Sequence, residues 1–558
     1  MNYQSVKISV STNIIFCLWL SLFFISCKKN NVNKSKNTDT SLSFTVNGTY
    51  NGTLKYTNLN TKPVVKFTFT EPVNTTTVTM GFLLKDKAET TIPITITYED
   101  NNKIINISPQ NNFSSFSTYT LSVNEQLKSA GGGRLINPVN ITLMSGLDDT
   151  DKFPRISDEE LLTLVQKQTF KYFWDFAHPV SGMARERNTS GNTVTAGGSG
   201  FGVMAIVTGI HRNFISRVDG LARVQQIVNF LKTADRFHGA YSHWIDGNTG
   251  KAIAFSAKDN GGDLVETSLL MAGLLTARQY FDGTSTAETN LRNDITTLYN
   301  QVEWSWYRNG TNSLIWHWSP TYNWDINLKI QGWNECLITY ILAASSPTYS
   351  IPKTVYDEGW ARNGAMKNGN SYYGVQLPLG VAGGGPLFLA HYSFLGINPN
   401  GLTDTYANYK TQTKAHTMIN YNYCVANPAK NNGYSANCWG LTASDIPNGY
   451  TASSPTNDRG VIAPTAALAS FPYTPEQSMA ALQFFYYKLG DKIWKEYGFV
   501  DAFNLNDPWF ATSHLAIDQG PIIIMIENYR SKLLWNLLMS APEIKTGMKN
   551  LGFSSPNL

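Results

Sequence analysis

Three segments of the chain place carboxylates at the start of an apolar stretch with helical spacing. Asp263 and Glu266 open the first stretch, Glu335 opens the second, and Asp518 opens the third. Asp263 and Glu266 are three residues apart and would share one helix face, where each carboxylate raises the pKa of its neighbour. Taken alone, each acid is better explained as a helix-start carboxylate that binds free backbone amides. Three such segments together favour a site for general acid and base catalysis.

Aromatic side chains are concentrated between residues 304 and 333, interleaved with Asn and Ser in a stretch that resembles a loop. Indole faces stack on the apolar faces of pyranose rings, while polar neighbours bond the hydroxyls, so this composition favours a sugar site. The alternative, packing between helices, is expected for about half of these side chains. The aromatic and heteroaromatic residues are Trp304, Trp306, Tyr307, Trp316, His317, Trp318, Tyr322, Trp324 and Trp333.

Signals for other chemistries are weaker. The eight histidines are scattered singly without an HExxH pair, and no Gly-x-Ser-x-Gly elbow occurs in the helical region. The glycine-rich segments 197–202 and 383–385 lack the lysine of a phosphate loop, which favours turns or close helix packing. The five cysteines are too few and too scattered for a disulfide framework or a zinc site. We therefore expect neither a metal nor a cofactor.

The composition is that of a folded protein with several units. The chain has 558 residues, of which 42% are hydrophobic and only 15% are charged, so a disordered, collagen-like or coiled-coil chain is excluded. The net charge of +4 is small, and no basic run occurs outside the N-terminal region. Nucleic acid is therefore not an expected partner.

The N-terminus has the pattern of a lipoprotein leader. Lys7 precedes an apolar run from Ile14 to Ile25, and the sequence 24–27 resembles a bacterial lipobox ending at Cys27. We predict a signal peptide over 1–26, lipidation and membrane anchoring at Cys27, and a polar tether over 27–40. The alternative is an ordinary secretory signal with a chance cysteine. The expected location is the cell envelope of a Gram-negative bacterium, in the outer membrane on its periplasmic or surface face.

Residues 41–148 alternate apolar and polar side chains in short runs divided by Asn, Gly, Pro and Thr. This period predicts a small, all-β, antiparallel sandwich, and the segments 67–73 and 117–121 resemble bacterial Ig-like modules. A spacer role is favoured over glycan binding, because no cluster of exposed aromatics occurs in these strands.

Residues 149–558 have the pattern of a large, mainly α domain. A capping box from Ser157 to Glu160 opens the first helix, and long Gly-, Asn- and Trp-rich connections separate the later ones. Such connections do not suit a four-helix bundle, and no short tandem repeat indicates a solenoid. A barrel of paired inner and outer helices, with loops at one end building a site, fits better. The further predicted helices cover about 202–211, 217–237, 264–281, 330–344, 384–394, 476–489 and 521–539.

An ordered set of motifs resembles the glucoamylase-like bacterial proteins that include the β-1,2-glucanases of glycoside hydrolase family 144. The resemblance covers the region from Pro154 to the C-terminus and leaves out the β domain. It implies an (α/α)6 barrel and hydrolysis of β-1,2-glucans or their oligosaccharides, with Asp263, Glu266 and Glu335 matching the acids associated with activity. The motifs are 169–175 with 181–187, 439–445, 462–467, 517–521 and 527–530.

These observations lead to a mechanistic hypothesis, an inverting glycosidase in which Glu335 is the acid and Asp518 is the base. Asp263 and Glu266 would bind the sugar beside the scissile bond and tune the acid. The alternatives are a non-catalytic glycan-binding lipoprotein and a polysaccharide lyase on a similar barrel; acids that outnumber bases disfavour the lyase. Further candidate substrate-binding residues are Asp445, Arg185, Trp318, Trp324, Trp333 and Trp439.

Overall fold

The computed structural model describes residues 38–558. The leader, Cys27 and nearly all of the tether lie outside the described residues, so the lipid anchor stays a prediction. Within 38–558, no helix combines the length and the apolar character that a membrane span requires.

The N-terminal domain consists of two four-stranded sheets that pack face to face. Their strand orders are β1-β3-β6-β5 and β2-β8-β7-β4, and alternate residues such as Phe67, Leu121 and Ile141 fill the space between them. One pair, β2 with β8, is parallel, so the sandwich is not purely antiparallel as the sequence suggested. The elements are β1 (Leu42–Val46), β2 (Lys55–Leu59), β3 (Val65–Phe69), α1 (Val78–Gly81), β4 (Phe82–Asp86), β5 (Ile94–Glu99), β6 (Ile104–Pro109), β7 (Thr118–Val123) and β8 (Val139–Ser145).

The sandwich is attached to the helical region by an apolar contact and an ion pair. Phe116 is buried within an apolar cluster that includes Leu161 and Leu162 of the first long helix. The Lys55 ammonium lies 2.7 Å from the Asp507 carboxylate. The boundary predicted at 148/149 falls between the last strand and that helix and stays a prediction.

Helices and short strands build the rest of the chain. The helices are α2 (Asp158–Trp174), α3 (Ala196–His211), α4 (Arg217–Leu231), α5 (Leu264–Tyr280), α6 (Thr286–Asn300), α7 (Leu337–Ser345), α8 (Lys353–Val355), α9 (Tyr409–Ala426), α10 (Pro464–Leu468), α11 (Pro475–Gln483), α12 (Gly490–Ile493), α13 (Ala516–Arg530), α14 (Leu533–Ser540) and α15 (Pro542–Leu551). The short strands are β9 (Thr193–Thr195), β10 (Trp244–Asp246), β11 (Ala252–Ile253), β12 (Gly262–Asp263), β13 (His317–Trp318), β14 (Ser371–Tyr372), β15 (Val375–Gln376), β16 (Ala443–Ile446), β17 (Gly449–Ala452), β18 (Val461–Ile462), β19 (Trp494–Lys495), β20 (Gly498–Phe499), β21 (Phe503–Asn504) and β22 (Trp509–Phe510).

Five helices, α3, α5, α7, α10 and α13, are buried over nearly their whole surface. Helix α3 packs on α5, α5 on α7, and α7 on the 3-10 turn Tyr392–Leu395. The Tyr473 hydroxyl, just after α10, donates to the Ala390 carbonyl at 2.9 Å, while α10 packs on α13 and α13 on α3. Helices α2, α4, α6, α9, α11 and α15 pack outside these elements. The buried elements therefore contact one another in a closed series.

Glycine permits the closest helix contact in this series. A Cβ on Gly200 of α3 would lie 2.2 Å from the Leu269 carbonyl oxygen, and one on Gly273 of α5 would lie 2.1 Å from the Gly200 oxygen. Both distances are too short for any side chain. The glycine-rich segment 197–202 therefore serves close helix packing, as the sequence predicted.

Several predicted helix bounds are wrong; for example, α3 begins at Ala196 rather than at 202, and α4 ends at Leu231 rather than at 237. The helix predicted from residue 330 begins at Leu337, because the Asn334 side chain accepts the Cys336 N–H at 3.0 Å and closes a turn there. The helix predicted from Pro521 begins five residues earlier at Ala516, whose N–H donates to the Glu186 carbonyl, and Pro521 lies inside it. The helix predicted over 384–394 is replaced by two 3-10 turns, Leu387–Ala390 and Tyr392–Leu395.

Candidate active site

Asp263 and Glu266 lie together at the N-terminus of α5. Asp263 caps the helix, because its Oδ1 accepts the N–H groups of Val265 and Glu266 at 3.0 and 2.9 Å. Glu266 Oε2 accepts the Gly197 N–H at 2.7 Å and the Thr195 hydroxyl at 3.2 Å, both at the start of α3. The first predicted carboxyl pair is therefore fixed between two helix N-termini.

Two histidines complete this first carboxyl cluster: His317, from the aromatic stretch 304–333, and His243, for which the sequence gave no signal. His243 Nδ1 lies 3.2 Å from Asp263 Oδ2, and His317 Nε2 lies 3.2 Å from Asp259 Oδ2 and 3.7 Å from Asp263 Oδ2. Burial opposes the charged form of His243, but Glu266 and Asp263 outweigh it and raise its pKa to about 9. Burial likewise opposes ionisation of Asp263, and the His243 hydrogen bond keeps its pKa below the usual value. Asp263 and His243 therefore form an ion pair at neutral pH.

Among the described residues, Asp259, Asp263 and His317 have the spacing of a metal-ligand set. One ligand atom from each lies within 4.8 Å of the other two. The hydrogen bonds to α5 and to His243 already engage both oxygens of Asp263. Asp263 is thus engaged by α5 and His243, while His317 lies next to Asp259.

Glu335 lies in the turn before α7. The Ser393 hydroxyl donates to the Glu335 carbonyl and accepts the Ile338 N–H at 3.0 Å, which fixes this turn against the segment that carries Tyr392. Burial raises the pKa of the Glu335 carboxyl to about 7, and the negative charges of Glu266 and Asp263 add to the effect. Glu335 is therefore close to the first cluster and holds its proton near neutral pH, as an acid catalyst requires.

A second carboxyl cluster contains Asp518, Asp501 and Asp445, with Arg187 beside it. Asp518 is in the first turn of α13 and is 3% exposed. Asp501 Oδ2 accepts the Asp445 N–H at 2.6 Å, and the Arg187 guanidinium bonds both Asp445 oxygens at 3.2 Å. Burial, together with the charge of Asp501, raises the pKa of Asp518 well above its usual range.

A cavity of about 360 Å³ lies next to residues that contact the two clusters, and its size suits a small ligand. Its wall includes partners of both clusters, Thr195 and His243 from the first and Arg187 and Tyr450 from the second. Trp244 also lines it and, with Phe255, forms an aromatic wall with ring centroids 4.8 Å apart. Within residues 38–558, the Trp244 Nε1–H is buried without an acceptor. An aromatic face beside a free donor suits a pyranose ring and its hydroxyl.

Tyr392 is near both clusters. Burial raises the pKa of its hydroxyl well above the usual value, and the charges of Asp518, from the second cluster, and of Glu335 and Glu266 add to this effect. The four predicted catalytic acids therefore converge on one region. Tyr392 sits in a segment without any acid or motif, so the sequence gave no signal for it.

The comparisons with known proteins agree with this geometry. A family model described as putative glucoamylase matches residues 327–542, and one described as a bacterial Ig-like domain matches residues 43–143. The crystal structure of a putative glucoamylase from Bacteroides uniformis is 55% identical, with a TM-score of 0.72, over 73% of this chain and 100% of that chain. The chain belongs to the glucoamylase-like family. The family resemblance of the sequence motifs is thus confirmed.

Two further relatives of this glucoamylase-like chain have named activities. The endo-β-1,2-glucanase from Chitinophaga pinensis, solved with sophorotriose and glucose, is 52% identical, with a TM-score of 0.71, over 72% of this chain and 100% of that chain. An exo β-1,2-glucooligosaccharide sophorohydrolase from Parabacteroides distasonis is 49% identical over 419 residues, 71% of this chain. The matched region spans 58% of that relative's length.

In the glucoamylase-like domain, the other predicted substrate-binding residues lie in different environments. Asp445 is at the second cluster, but Arg187 and Ser513 already bond its oxygens. Arg185 instead lies over the Phe176 ring at 4.8 Å and donates to the Gly191 carbonyl. The guanidinium that reaches the carboxylates is therefore that of Arg187, two residues further on.

The predicted tryptophans are divided between core and surface. Trp439 is fully buried and donates to the Gln477 carbonyl, and Trp333 is 6% exposed and packs on Phe394, so neither ring presents a face to a sugar. The burial of these two rings does not support substrate binding, and that role stays a prediction. Trp318 and Trp324 are half-buried and both pack on Trp306. Strand β13, which contains Trp318, pairs with β12 beside Asp263.

Proposed function

We propose that this chain is a glycoside hydrolase that cleaves β-1,2-linked glucan or its oligosaccharides with inversion of the anomeric centre. One observation carries the proposal: Glu335, Glu266 and Asp518, far apart in the sequence, all act on the Tyr392 hydroxyl, and residues that contact both carboxyl clusters line a cavity of about 360 Å³. The substrate class is supported by the β-1,2-glucan activities named for two relatives that are 52% and 49% identical.

In the proposed mechanism, Glu335 protonates the glycosidic oxygen while a water molecule attacks the anomeric carbon from the opposite face. Glu335 suits the acid role because burial and the charges of Glu266 and Asp263 raise its pKa to about 7. Asp518 accepts the proton of the water in its ionised form, which the Arg187 charge favours against the burial that raises its pKa. Asp263 and His243 hold the start of α5, and so Glu266, in place.

We infer that the helical region is an (α/α)6 barrel. The closed series of inner contacts, from α3 through α5, α7, the 387–395 turns, α10 and α13 back to α3, supports this architecture. Each inner element also has an outer helix packed against it. The cavity and both carboxyl clusters lie where these inner elements begin.

The test of the proposed function is hydrolysis of a panel of linear β-1,2-, β-1,3-, β-1,4- and α-1,4-glucans, with products separated by size. We expect cleavage of the β-1,2-linked glucan and a first-formed α-anomer in proton NMR spectra. Binding without new reducing ends would favour a non-catalytic glycan-binding protein, and an unsaturated product would indicate a lyase. A first-formed β-anomer would exclude inversion.

We also propose that the mature protein is anchored to the cell envelope through a lipid on Cys27. The lipobox-like sequence 24–27 supports the anchor, and the β domain would then hold the catalytic domain away from the membrane. Replacing Cys27→Ser should move the protein from the membrane fraction to the soluble fraction, with its hydrolytic activity retained. Unchanged membrane association would reject the anchor.

A further inference from the structure

The β domain has a groove of about 600 Å³ beside its edge strand β1. Its lining comes from residues 42–45 of β1, from residues 137–139, which lead into β8, and from Tyr50 in the loop between β1 and β2. Strand β1 is outermost in its sheet, and β2 pairs with β8 only from Thr142 onward. Among the described strands, none therefore pairs with the outer edge of β1 or covers the first residues of β8 on the β2 side.

Tyr50 is the aromatic side chain that this groove presents to solvent. The residue is 59% exposed, yet its ring is held by the Phe44 ring, with centroids 5.5 Å apart and planes at 89°. Phe44 in turn packs on Tyr56 and Phe67 of the sandwich core. A ring fixed in this way loses little side-chain freedom on binding, and it offers a flat apolar face on which a pyranose can stack. Because Tyr50 lies in a loop, the pattern of the strands gave no signal for it.

The outer edge of β1 offers free main-chain groups at one position only. In an antiparallel pair, alternate residues direct their N–H and C=O away from the partner strand, here Leu42, Phe44 and Val46. The Asn137 side-chain amide bonds both groups of Leu42, at 2.9 and 2.8 Å. The main chain of Thr49 bonds both groups of Val46, at 2.9 and 3.0 Å. Within residues 38–558, nothing bonds the N–H and C=O of Phe44 between them.

This pattern favours a sugar chain over a peptide. A peptide that adds to a sheet edge needs a free N–H and C=O at every second residue along the strand, and β1 has one such position between two that are already bonded. No charged side chain lines the groove, so neither an acidic nor a basic chain is attracted to it. The lining also includes the side chains of Ser43 and Thr45. A neutral polyol with apolar ring faces matches these groups.

We propose that this groove is a second, non-catalytic binding site for the β-1,2-linked glucan, in which a pyranose stacks on Tyr50 and its hydroxyls bond the Phe44 N–H and C=O. The identity of the sugar rests on the proposed function. The β domain packs on the helical region through Phe116, so a long glucan held in the groove stays near the catalytic domain. Such a site raises the local concentration of long chains without contacting the bond that is cleaved.

Hydrogen–deuterium exchange tests the site without any activity measurement. In the full-length chain carrying Glu335→Gln, an excess of linear β-1,2-glucan should slow exchange at the Phe44 amide by about fivefold or more. Adding Tyr50→Ala should abolish this slowing, whereas Tyr50→Phe keeps the ring and should preserve it. The control Tyr98→Ala, which removes an exposed tyrosine from β5 of the same domain, should also preserve it.

Three results of this experiment would overturn the proposal. The first is exchange at Phe44 that β-1,2-glucan does not slow. The second is slowing that persists in Tyr50→Ala. The third is slowing that grows with protein concentration in the absence of glucan, which would show that a second copy of the chain occupies the groove.

Kinetics then separates the groove from the catalytic site. Tyr50→Ala should raise KM for long β-1,2-glucan by about threefold or more, with kcat unchanged, and should leave both constants for a β-1,2-linked trisaccharide unchanged. An equal rise in KM for the trisaccharide and the polymer would contradict a site remote from the cleaved bond. If the native protein cleaves no glucan, the proposed function fails, while exchange at Phe44 still decides whether the groove binds the polymer.

Discussion

Replacing Glu335→Gln tests both the acid role and the environment that creates it. The amide keeps the size of the side chain but has no proton to give, so we expect kcat on β-1,2-glucan to fall by about 10²–10⁴-fold. The matched control is Glu476→Gln, the same chemical change at an exposed position in the first turn of α11. It should retain native activity.

The same variant should change how stability depends on pH. A pKa raised from 4.5 to about 7 means that ionising Glu335 costs up to about 3 kcal/mol more in the folded protein than in the unfolded chain. Because Glu335 is only half-buried, solvent screening reduces the expected cost to about 1–2 kcal/mol. The protonated carboxyl contributes full stability below pH 4.5, and this contribution is lost as the pH rises through 7.

Urea unfolding at pH 4.5, 6 and 8 measures this effect. Relative to the native protein, Glu335→Gln should gain about 1–2 kcal/mol of unfolding free energy between the lowest and the highest pH, because glutamine cannot ionise. Glu476→Gln should show no such gain. The reasoning is refuted if the difference in unfolding free energy between Glu335→Gln and the native protein is the same at all three pH values.

Three further changes test the packing and the cavity. Gly197→Ala should lower kcat by about tenfold or more, since its Cβ would lie 2.7 Å from Glu266 Oε2; full activity with an unchanged melting temperature would contradict this positioning of Glu266. In initial-rate measurements, Trp244→Ala should raise KM by about tenfold with a smaller change in kcat. The control Tyr529→Ala removes an exposed aromatic side chain from α13 and should leave both constants unchanged. Phe116→Ala should lower the unfolding free energy by about 3–4 kcal/mol in denaturant titrations; a loss below 1 kcal/mol would show that the contact between the domains contributes little.

Local patterns predicted the elements that combine a helical apolar period with a start signal. Helix α5 was predicted over 264–281 and extends over Leu264–Tyr280, because Asp263 caps a long apolar run. Helices α6 and α9 were not predicted. Both carry many Thr and Asn side chains, which have low helix propensity, although Leu291, Ile295 and Leu298 of α6 do have helical spacing. Their stability comes from packing on the inner elements, which the local sequence does not reveal.

The candidate site also has a part that the local sequence predicted and a part that only the fold brings together. The spacing of Asp263 and Glu266 within one helix turn was visible in the sequence. The contact of Arg187 with Asp445 joins residues 258 positions apart, and only the folded chain brings them together. Composition also does not distinguish a core tryptophan from a surface one, so Trp439 was predicted to bind sugar, whereas the sequence did not indicate Trp244.

The most direct test of convergent acids is a crystal structure of Glu335→Gln with a β-1,2-linked gluco-oligosaccharide. We predict that the glycosidic oxygen lies within hydrogen-bonding distance of the residue 335 amide. The adjacent anomeric carbon should face Asp518 across a gap that holds one water molecule. An oligosaccharide bound only at the Trp318 and Trp324 surface, with residue 335 and Asp518 out of reach, would contradict the account.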